Sequence, residues 1–498
     1  MYKKSLSRRE FIKKNSLTGI GVLLASSAGS SLLASSAGSS GLASADGSSL
    51  LASAAGSSGI KSADVSTLPA FNNADVPACM GGVPVHKGGW PQWPVWNPAT
   101  DEEKLLKTMR SGVWSRANTV DEFERTFAQL IGSKRCLSVV NGTNALITAL
   151  AQADIGAGDE VILPPYTFIA TVQAVLMNGA MPVFADIDPT TFQIDPKNIE
   201  KKITSRTRAI LPVHILGLPA DMPAIMAIAQ KHNLVVIEDA CQAWLAEINH
   251  KKVGTFGKAG CFSFQNSKHI AMGEGGAVVS DDDEFMDRCF SFHNFGFPYG
   301  SMIGAVGGGS TMLGTKLRLT EYQAAIGLAL MTRLEEETTK RNENAAYLKA
   351  QIEKIPGIVP YRLYDHVTRA AFHLFPFRYQ KDQFGGLSRA TFLKALQAEG
   401  IPCSSGYGGL LNKEPYLAHA FQTKNFRRMY PKELLDINIY NRQNECPENE
   451  RLCNEEAVWL SQNMLLAGKQ DMDDIAQAIE KIHENAEKVF SFQFSVFR

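Results

Sequence analysis

The sequence predicts an α/β fold, in which a large domain with a mainly parallel sheet covered by helices precedes a smaller α+β domain at the C-terminus. Short apolar runs rich in β-branched residues alternate with helical patterns between residues 138 and 279, as is typical of parallel strands joined by helices. After a helical segment at 320–334 this alternation stops. A strand-like run at 372–378 follows, with amphipathic helices at 389–400 and 471–489. The buried runs that together indicate a mainly parallel sheet are 161–163, 182–186, 209–213, 234–237 and 277–280.

Changes in composition divide the chain into four predicted segments. Residues 1–36 form a signal region, residues 37–75 a low-complexity Ser/Gly/Ala tether, residues 76–335 the large domain with an N-terminal arm, and residues 336–498 the small domain. Between 23 and 58 a nine-residue unit occurs four times with small changes. Because Leu is almost its only bulky residue, the repeat predicts a flexible tether or a simple sequence expansion and cannot bury a core.

The N-terminus carries a pattern typical of export. Arg8 and Arg9 lie in a basic region and are followed by Phe11 and by a modestly apolar stretch at 17–25. This pattern predicts a bacterial twin-arginine signal and a periplasmic or exported protein, with a basic cytosolic tail as the alternative. The stretch is well short of the ~20 apolar residues that span a bilayer, so we expect membrane contact only during export.

The balanced net charge argues against nucleic acid or an anionic membrane as a partner. The chain has 50 Lys and Arg against 50 Asp and Glu, so no global field favours nucleic acid or an anionic membrane. Its eight cysteines show no zinc spacing. Cys446 and Cys453 are candidates for a disulfide in an oxidising compartment, or for a pair of reduced thiols.

An anion site is predicted where the first strand of the large domain meets a helix. Gly142 lets the backbone approach an anion, and the Thr143 hydroxyl and the first helical N–H groups can donate to it. An ordinary Asn-Gly turn with a Thr cap is the alternative. Further along, the aromatic Phe168 follows a predicted strand and can stack on a planar ring, unless it is a core residue.

A carboxylate and a lysine follow in the next two motifs. Asp239 ends a buried β-branched strand, at the sheet edge where ligands of α/β proteins bind, although a helix cap is the alternative role. Lys268 lies between the hydroxyl of Ser263 and a glycine turn at Gly273. A lysine in such a place can hold an aldehyde cofactor as a Schiff base, and a carboxylate can pair with a pyridinium nitrogen. Together these residues indicate pyridoxal 5'-phosphate.

From about Gly89 to the C-terminus the chain resembles the DegT/DnrJ/StrS-type sugar and cyclitol aminotransferases, which are fold-type-I pyridoxal phosphate enzymes. The phosphate turn, the aromatic residue, the carboxylate and the lysine occur in the order that this family shows. The sequence motifs around Lys268 and at 446–459 look most like those of the branch that aminates keto-inositols with glutamine. The further motifs that carry the resemblance are Trp90-Pro-Gln-Trp-Pro, Ser111-Gly-Val-Trp114, Val120-Asp-Glu-Phe-Glu124, Pro212-Val-His214-Ile-Leu-Gly217, Gly273-Glu-Gly-Gly-Ala277 and Thr320-Glu-Tyr-Gln-Ala-Ala-Ile-Gly327.

The resemblance implies a role for each candidate residue. Lys268 would carry the cofactor and shuttle the proton, and Asp239 would hold the pyridinium. Gln242 would contact the ring hydroxyl and Phe168 would cover the ring face. The phosphate would be held by Gly142, Thr143, Asn144 and Ser263, and His214, His293 and Tyr407 are candidate substrate residues. For Tyr407, as for His373, a core or surface role is the alternative.

One departure from the family concerns the subunit interface. Relatives have an Asn that reaches the cofactor phosphate of the neighbouring subunit, whereas this chain has Lys316 between Gly314 and Arg318. The resemblance implies a homodimer with shared active sites. Lys316 would then act as a charged phosphate donor, or would mark altered cofactor binding.

These features predict an aminotransferase that moves an amino group from glutamate or glutamine to a keto-sugar or keto-cyclitol. Related dehydratases carry His at the lysine position, and here His269 only follows an intact Lys268. A pyridoxal-phosphate-dependent sugar dehydratase is therefore one alternative. The other is a non-catalytic envelope protein that binds an amino sugar or a cofactor adduct in the same pocket.

Overall fold

The computed structural model describes residues 74–301 and 309–495, so the predicted signal region and nearly all of the tether lie outside the described residues. Residues 70–498 belong to one compact unit. In chain order the strands are β1 Arg135–Val139, β2 Glu160–Leu163, β3 Met181–Phe184, β4 Ile187–Asp188, β5 Gln193–Ile194, β6 Thr207–Ile210, β7 Val235–Asp239, β8 Glu247–Ile248, β9 Lys251–Lys252, β10 Ala259–Ser263, β11 Gly276–Ser280, β12 Ile358–Pro360, β13 Val367–Arg369, β14 Leu374–Tyr379 and β15 Ala457–Ser461.

The helices of the described residues pack on both faces of the large sheet. None of them combines the length and the apolar composition that a membrane crossing requires. In chain order they are α1 Pro98–Ser111, α2 Asn118–Ile131, α3 Gly142–Gln152, α4 Ile169–Met177, α5 Pro196–Lys201, α6 Met222–His232, α7 Asp283–His293, α8 Glu321–Met331, α9 Leu334–Ile352, α10 Arg389–Ala398, α11 Pro415–Gln422, α12 Lys424–Met429, α13 Ile437–Gln443, α14 Pro447–Arg451, α15 Lys469–Glu484 and α16 Ala486–Ser495.

The large sheet confirms the predicted α/β class. Its seven strands have the order β1-β11-β10-β7-β6-β2-β3. The pairs from β10 through β7, β6 and β2 to β3 are parallel, and β11 is antiparallel to both of its neighbours. Parallel strands with both faces covered are apolar throughout, which explains the continuous burial of β2 and β10. The carboxyl ends of the neighbouring strands β7 and β10 therefore lie side by side at the same end of the sheet.

A second sheet is formed by β12, β14 and β15, as the strand-like run at 372–378 predicts. The helix predicted at 320–334 is interrupted at residues 332–333, between α8 and α9, and the helix predicted at 471–489 ends at Glu484 before α16 begins. The boundary predicted between residues 335 and 336 remains a prediction. Both Cys446 and Cys453 are free thiols.

Residues 411–446 pack on the large sheet, although they lie between β14 and β15 of the second sheet in the sequence. Their helices α11 to α13 pack on the hydrophobic core beneath the edge of the large sheet. The Tyr440 hydroxyl donates to the Pro182 carbonyl over 2.7 Å, and the Tyr430 hydroxyl lies 2.8 Å from the Gly179 carbonyl oxygen. The segment therefore covers the outer strand β3 of the large sheet, where an open edge would otherwise expose backbone groups.

The N-terminal arm, residues 78–90, packs on residues from the C-terminal part of the chain. The Glu399 carboxylate is fully buried and accepts hydrogen bonds from the Ala78 and Val85 amides, at 2.7 and 3.0 Å. The Lys481 ammonium lies 3.1 Å from the same carboxylate. One buried ion pair therefore joins the arm to helices α10 and α15.

Candidate active site

A cavity of about 580 Å³ opens at the carboxyl ends of β7 and β10 and at the N-terminus of α3. Most of the predicted cofactor residues line it. They are Gly142, Thr143, Phe168, Asp239, Gln242, Ser263 and Lys268. Tyr407 and His373, from the second half of the chain, line it too. Open α/β sheets bind ligands at this edge because the helix N-termini and the loops converge there.

Lys268 lies on the turn that follows β10 and is half-buried. Its backbone is fixed on both sides, because its N–H donates to the Gln265 carbonyl over 2.8 Å and its carbonyl accepts from the Trp93 indole over 3.1 Å. Burial lowers the pKa of the Lys268 ammonium, and the nearby Cys241 and Asp239 oppose this shift. A lowered pKa increases the fraction of neutral amine, which is the form that attacks an aldehyde.

Asp239 ends β7 and is 5% exposed. Its Oδ2 accepts a hydrogen bond from the Thr171 hydroxyl over 2.8 Å, and its Oδ1 accepts one from the Cys241 amide over 3.2 Å. The Thr171 hydroxyl also lies 2.8 Å from that of Thr167. These contacts orient the carboxylate at the cavity wall. A carboxylate held in this way suits a pyridinium nitrogen, since a fixed acceptor needs little reorganisation.

The N-terminus of α3 forms the predicted anion site. Asn141 caps the helix by accepting from the Asn144 amide over 2.9 Å. The first helical N–H groups have no partner within the helix and point towards the cavity end. Gly142 is needed for close packing, since a Cβ at this position would lie 2.7 Å from the Cβ of Ser263. Backbone amides and the hydroxyls of Thr143 and Ser263 thus surround one space.

Side chains at the mouth of the cavity are suited to a planar ring and a polar ligand. Phe168 is 58% exposed, which is unusual for a large apolar side chain and leaves its ring face available. The amide of Gln242 is held by the Leu216 N–H, which donates to Oε1 over 2.7 Å, and its Nε2 lies 3.5 Å from the Tyr407 hydroxyl. Burial raises the pKa of the Tyr407 hydroxyl, which therefore stays protonated as a donor.

Two predicted substrate residues are corrected because both are fully buried outside the cavity lining. His214 uses both ring nitrogens internally: Nε2 lies 3.0 Å from a Glu238 carboxylate oxygen, and Nδ1 accepts from the Ala220 amide over 3.1 Å. His293 ends α7, where its Nδ1 donates to the Phe290 carbonyl, and burial lowers its pKa to about 4. Both side chains stabilise the protein interior and do not face the cavity.

Two predicted phosphate residues also lie away from this cavity. The Asn144 side-chain amide donates to the Asn141 side chain over 3.0 Å, so it supports the cap and does not line the cavity. Lys316 is exposed, and its backbone pairs with Asn294. The family resemblance assigns Lys316 to a neighbouring subunit's site, and that assignment remains a prediction.

Sequence reasoning missed several residues that the structure brings to the site. Thr171 holds Asp239, and Cys241 and Glu274 line the cavity. Each belongs to a motif that already carried a candidate: 164–171, 234–242 or 261–276. For Cys241 a signal was available, because polar residues that directly follow a buried strand lie at the carboxyl ends of the strands, where ligands bind.

The donor set fits pyridoxal phosphate. An amine with a lowered pKa, a buried carboxylate, an exposed aromatic face and a helix N-terminus with two hydroxyls line one cavity. These groups match the aldehyde, the pyridine nitrogen, the ring and the phosphate of that cofactor.

Comparisons with known proteins agree with this geometry. The model of the DegT/DnrJ/EryC1/StrS aminotransferase family matches residues 98–455. A putative L-glutamine:3-amino-2,3-dideoxy-scyllo-inosose aminotransferase of Streptoalloteichus tenebrarius is 34% identical over 420 residues, which cover 82% of this chain and 98% of the relative. The spore coat polysaccharide biosynthesis protein SpsC of Bacillus subtilis is 32% identical over 390 residues, which cover 77% and 95%.

A solved structure extends the likeness to the fold. The crystal structure of 3-amino-5-hydroxybenzoic acid synthase aligns with a TM-score of 0.68 at 30% identity, covering 79% of this chain and 98% of that one. The predicted fold-type-I architecture is therefore confirmed, together with pyridoxal phosphate as the cofactor.

Proposed function

We propose a substrate class and a set of residue roles for this chain, which belongs to the DegT/DnrJ/EryC1/StrS aminotransferase family and is a pyridoxal-phosphate-dependent aminotransferase. The enzyme transfers an amino group from glutamine or glutamate to the ketone of an uncharged polyhydroxylated ring, a keto-cyclitol in preference to a nucleotide-linked keto-sugar. The observation that carries this proposal is the composition of the cavity, which combines a complete cofactor set with very little positive charge.

Each cavity residue has a role in this scheme. The bound cofactor supplies a covalent attachment point for the amine and withdraws electrons from the adjacent carbon. Lys268 holds the cofactor and, when its amine is free, takes a proton from the substrate carbon and returns it. Asp239 keeps the ring nitrogen protonated. Gln242 would contact the ring hydroxyl and Phe168 would cover the ring.

The phosphate is held at the N-terminus of α3. The backbone amides at Gly142 and the hydroxyls of Thr143 and Ser263 donate to it, and the helix dipole favours its negative charge. Tyr407 is a candidate substrate donor, because its protonated hydroxyl lines the cavity beside Gln242.

Charge separates the two classes of acceptor. Nucleotide-linked sugars carry a diphosphate, which proteins bind with Arg or Lys through charge-assisted hydrogen bonds. Among the described residues, Lys268 is the only Lys or Arg that lines the cavity. A neutral cyclitol makes no demand for such a cation, because its hydroxyls bond to amides, hydroxyls and carboxylates.

The relatives support the same class without deciding it. The Streptoalloteichus relative is named for a keto-inositol acceptor and glutamine as the donor. The Bacillus relative is named for polysaccharide synthesis, in which activated sugars are ordinary substrates. Among the described residues Lys268 is the one Lys or Arg in the cavity lining, and this small positive charge favours the first of these classes.

Single-turnover absorbance measurements test the acceptor. Glutamine or glutamate should convert the bound cofactor to its amine form, and 2-deoxy-scyllo-inosose should restore the original spectrum. A nucleotide-linked keto-sugar should restore it at least ~10-fold more slowly, since one missing charge-assisted contact costs about 1.5–3 kcal/mol. Faster recovery with the nucleotide-linked ketone would reject the cyclitol assignment. If no amino donor changes the spectrum, the chain is a non-catalytic binder.

Peptide mapping tests the position of the cofactor. After borohydride reduction, the cofactor should be found on Lys268 and should be lost in Lys268→Ala. Lys258→Ala is a matched control, because Lys258 lies at the other end of β10 and pairs with Asp282. A reduced adduct on a different lysine would overturn the assignment.

We further propose that the enzyme is a homodimer whose neighbouring subunit supplies Lys316. An exposed apolar patch supports this: Met109, Val113 and Trp114 are 41%, 51% and 50% exposed, and the Trp114 carbonyl accepts from the Glu321 amide beside Tyr322, which is 37% exposed. Apolar patches of this kind are typical of association surfaces.

Mixing experiments test the shared site. Lys316→Ala should weaken cofactor binding at least ~10-fold, from about 1.5–3 kcal/mol for one charge-assisted bond, and Lys316→Asn should recover much of it. Mixed Lys268→Ala and Lys316→Ala chains should regain activity, because one site of each heterodimer would be intact. A monomeric active protein, or unchanged affinity in Lys316→Ala, would contradict the shared site.

We also propose that the N-terminal signal directs export to the periplasm, as the pair Arg8 and Arg9 predicts. Replacing both by Lys keeps the charge and should leave unprocessed, cofactor-loaded precursor in the cytoplasm. The matched control changes Lys13 and Lys14 to Arg, which also keeps the charge and should not affect export. Equal periplasmic recovery of the two variants would reject the twin-arginine route.

A further inference from the structure

The segment 90–95, which contains the motif Trp90-Pro-Gln-Trp-Pro, reaches the turn that carries Lys268. The indole Nε1 of Trp93 donates to the Lys268 carbonyl over 3.1 Å, across 175 positions of sequence. Trp93 is half-buried and, within the described part of the chain, is not among the residues that line the cavity. It therefore contacts the proposed cofactor lysine through the backbone and not through the reacting amine.

The hydrogen bonds that this turn makes within itself are local. The Lys268 N–H donates to the Gln265 carbonyl over 2.8 Å, and the Ser267 N–H donates to the Gln265 side chain over 2.8 Å. Residues 269–272 are buried, whereas Asn266 and Ser267 are exposed. The Lys268 backbone thus lies at the boundary between a packed stretch and an exposed one, where packing holds it on one side only. The bond from Trp93 fixes it from outside the turn.

Trp93 is itself held on both sides along the chain. Nδ2 of Asn463 donates to the Pro91 carbonyl over 2.5 Å, and Nη2 of Arg333 donates to the Val95 carbonyl over 2.5 Å. Asn463 follows β15, and Arg333 lies between α8 and α9. An indole on a backbone that is fixed at two points can in turn fix the carbonyl to which it donates.

The ring of Trp93 lies against a buried cation. The guanidinium carbon of Arg341 is 5.3 Å from the centroid of the ring. Arg341 is 0% exposed; its Nε donates to Gln462 over 2.9 Å, and its Nη2 lies 3.2 Å from a Glu337 carboxylate oxygen. Tryptophan is the aromatic residue that attracts a cation most strongly when the cation lies within about 6 Å of its ring centroid. The contact therefore fixes the plane of the indole, and with it the direction of its N–H bond.

The position of the Lys268 backbone matters because the amine at the end of the side chain must reach a carbon atom of the substrate. Reacting atoms have to lie about 3–3.5 Å apart, and a displacement of about 1 Å can slow a reaction about 100-fold. The lysine side chain is a flexible four-carbon stem, so its Nζ is placed only as precisely as the backbone that carries it. The carbonyl group held by Trp93 is bonded directly to the Cα of Lys268.

We propose that Trp93 is a positioning residue for the reaction at Lys268, because its indole N–H fixes the backbone of this lysine while the guanidinium of Arg341 fixes the indole. The inference rests on the proposed role of Lys268. In the proton-transfer step a C–H bond of the substrate breaks and an N–H bond forms on Lys268, and the proton is later returned. Trp93 keeps its own proton throughout. Because it lies outside the described cavity lining, it affects the rate of proton transfer and not the binding of substrate.

Three variants of the full-length chain separate the indole N–H from general packing. Trp93→Phe removes the N–H and keeps an aromatic ring beside Arg341. Trp90→Phe is the matched control, because the Trp90 indole donates to the Gly400 carbonyl over 2.9 Å, in the same segment but away from Lys268. In the third variant, 3-benzothienylalanine replaces Trp93. This residue has nearly the shape of tryptophan with sulfur in place of the N–H, so it removes the donor without removing volume.

In the cofactor-loaded enzyme, both variants at position 93 should lower kcat at least ~10-fold while KM stays within about twofold. The isotope effect with α-deuterated glutamine or glutamate should be at least as large as in the unsubstituted enzyme, because proton transfer becomes slower. In the cofactor-free chain, amide hydrogen exchange over residues 265–272 should become about 2- to 10-fold faster, the factor that one ordinary hydrogen bond contributes. Trp90→Phe should leave all three measurements unchanged.

Two results would overturn the proposal. One is unchanged hydrogen exchange over residues 265–272 in both variants at position 93. The other is an equal loss of kcat in Trp93→Phe and Trp90→Phe, which would indicate a loosened segment 90–95. If Trp93→Phe does not fold, the benzothienylalanine variant decides. A cofactor found on another lysine would refute the role of Lys268 and the proposal with it, a result that peptide mapping gives separately, whereas hydrogen exchange reports on the Trp93 contact alone.

Discussion

Replacing Gly142 by alanine perturbs the proposed phosphate site with a single methyl group. The new Cβ would lie 2.7 Å from the Cβ of Ser263, 3.2 Å from its hydroxyl oxygen and 2.9 Å from the Sγ of Cys241. Carbon atoms in favourable contact are about 3.5–4.0 Å apart, so Ser263 or the start of α3 must move by roughly 1 Å. Both of these elements are proposed to donate to the phosphate.

The size of the effect follows from this displacement. Adding a methylene to a well-packed site costs about 1–3 kcal/mol. If the cost falls mainly on the cofactor-binding geometry, the Kd for pyridoxal phosphate should rise about 5- to 150-fold, since about 1.4 kcal/mol corresponds to tenfold. We expect the melting temperature of the cofactor-free chain to fall only slightly, because Ser263 can shift into the space of the cavity.

Equilibrium titration of the cofactor-free chain with pyridoxal phosphate, followed by visible absorbance, measures this Kd. Gly89→Ala is the control, because no atom lies within 4 Å of its added Cβ. A Gly142→Ala chain that binds the cofactor within about twofold of the unsubstituted chain would refute the close-packing argument and the phosphate assignment together.

Three other predictions concern stability. Unfolding experiments between pH 7 and pH 4 should show that the free energy of unfolding falls by up to about 3 kcal/mol through His293. The pKa of this histidine is about 4 in the folded chain and about 6.5 in the unfolded chain, so the unfolded chain binds the proton first as the pH falls. His293→Gln should reduce this loss. Glu399→Gln should destabilise the chain by about 3–5 kcal/mol in denaturant titrations, since it leaves the Lys481 charge buried and unpaired, and proteases should then cleave the N-terminal arm faster. Thr171→Val should cost the cofactor-loaded chain about 1.5–3 kcal/mol by removing the bond to Asp239, and an unchanged unfolding midpoint would contradict that contact.

Local patterns in the sequence were sufficient to predict the main strands of the large sheet and the position of the cofactor residues at their carboxyl ends. The run at 234–237 is apolar and β-branched because β7 is buried on both faces between parallel neighbours, and such a strand needs no information from the rest of the chain to be recognised. Asp239 then follows at the carboxyl end of the strand, and Lys268 follows β10 in the same way. Their meeting in one cavity is a consequence of parallel topology.

The side chains of His214 and His293 show where such patterns fail. A polar residue after a strand or at a helix end can face the cavity or the interior, and the choice depends on partners that a local pattern of polar and apolar residues does not reveal. His214 faces inward because Glu238 and the Ala220 amide satisfy both of its nitrogens. Nothing in the residues next to either histidine indicates these contacts.

The same limitation applies to contacts between the two halves of the chain, such as the one between His373 and Lys268. Nε2 of His373 lies 3.5 Å from Nζ of Lys268 across 105 positions of sequence. Arg341, on α9, makes a contact of the same kind, because its Nε donates to Gln462 over 2.9 Å. A buried arginine in a helix has the same helical propensity as an exposed one, so the sequence does not distinguish them. The distinction appears only when the neighbours are known: Arg341 has no solvent exposure and shares one carboxylate. The burial of this cation is compensated by Glu337 one helical turn away and by Gln462, which lies 121 positions further along the chain, and only the first of these partners could be expected from the sequence.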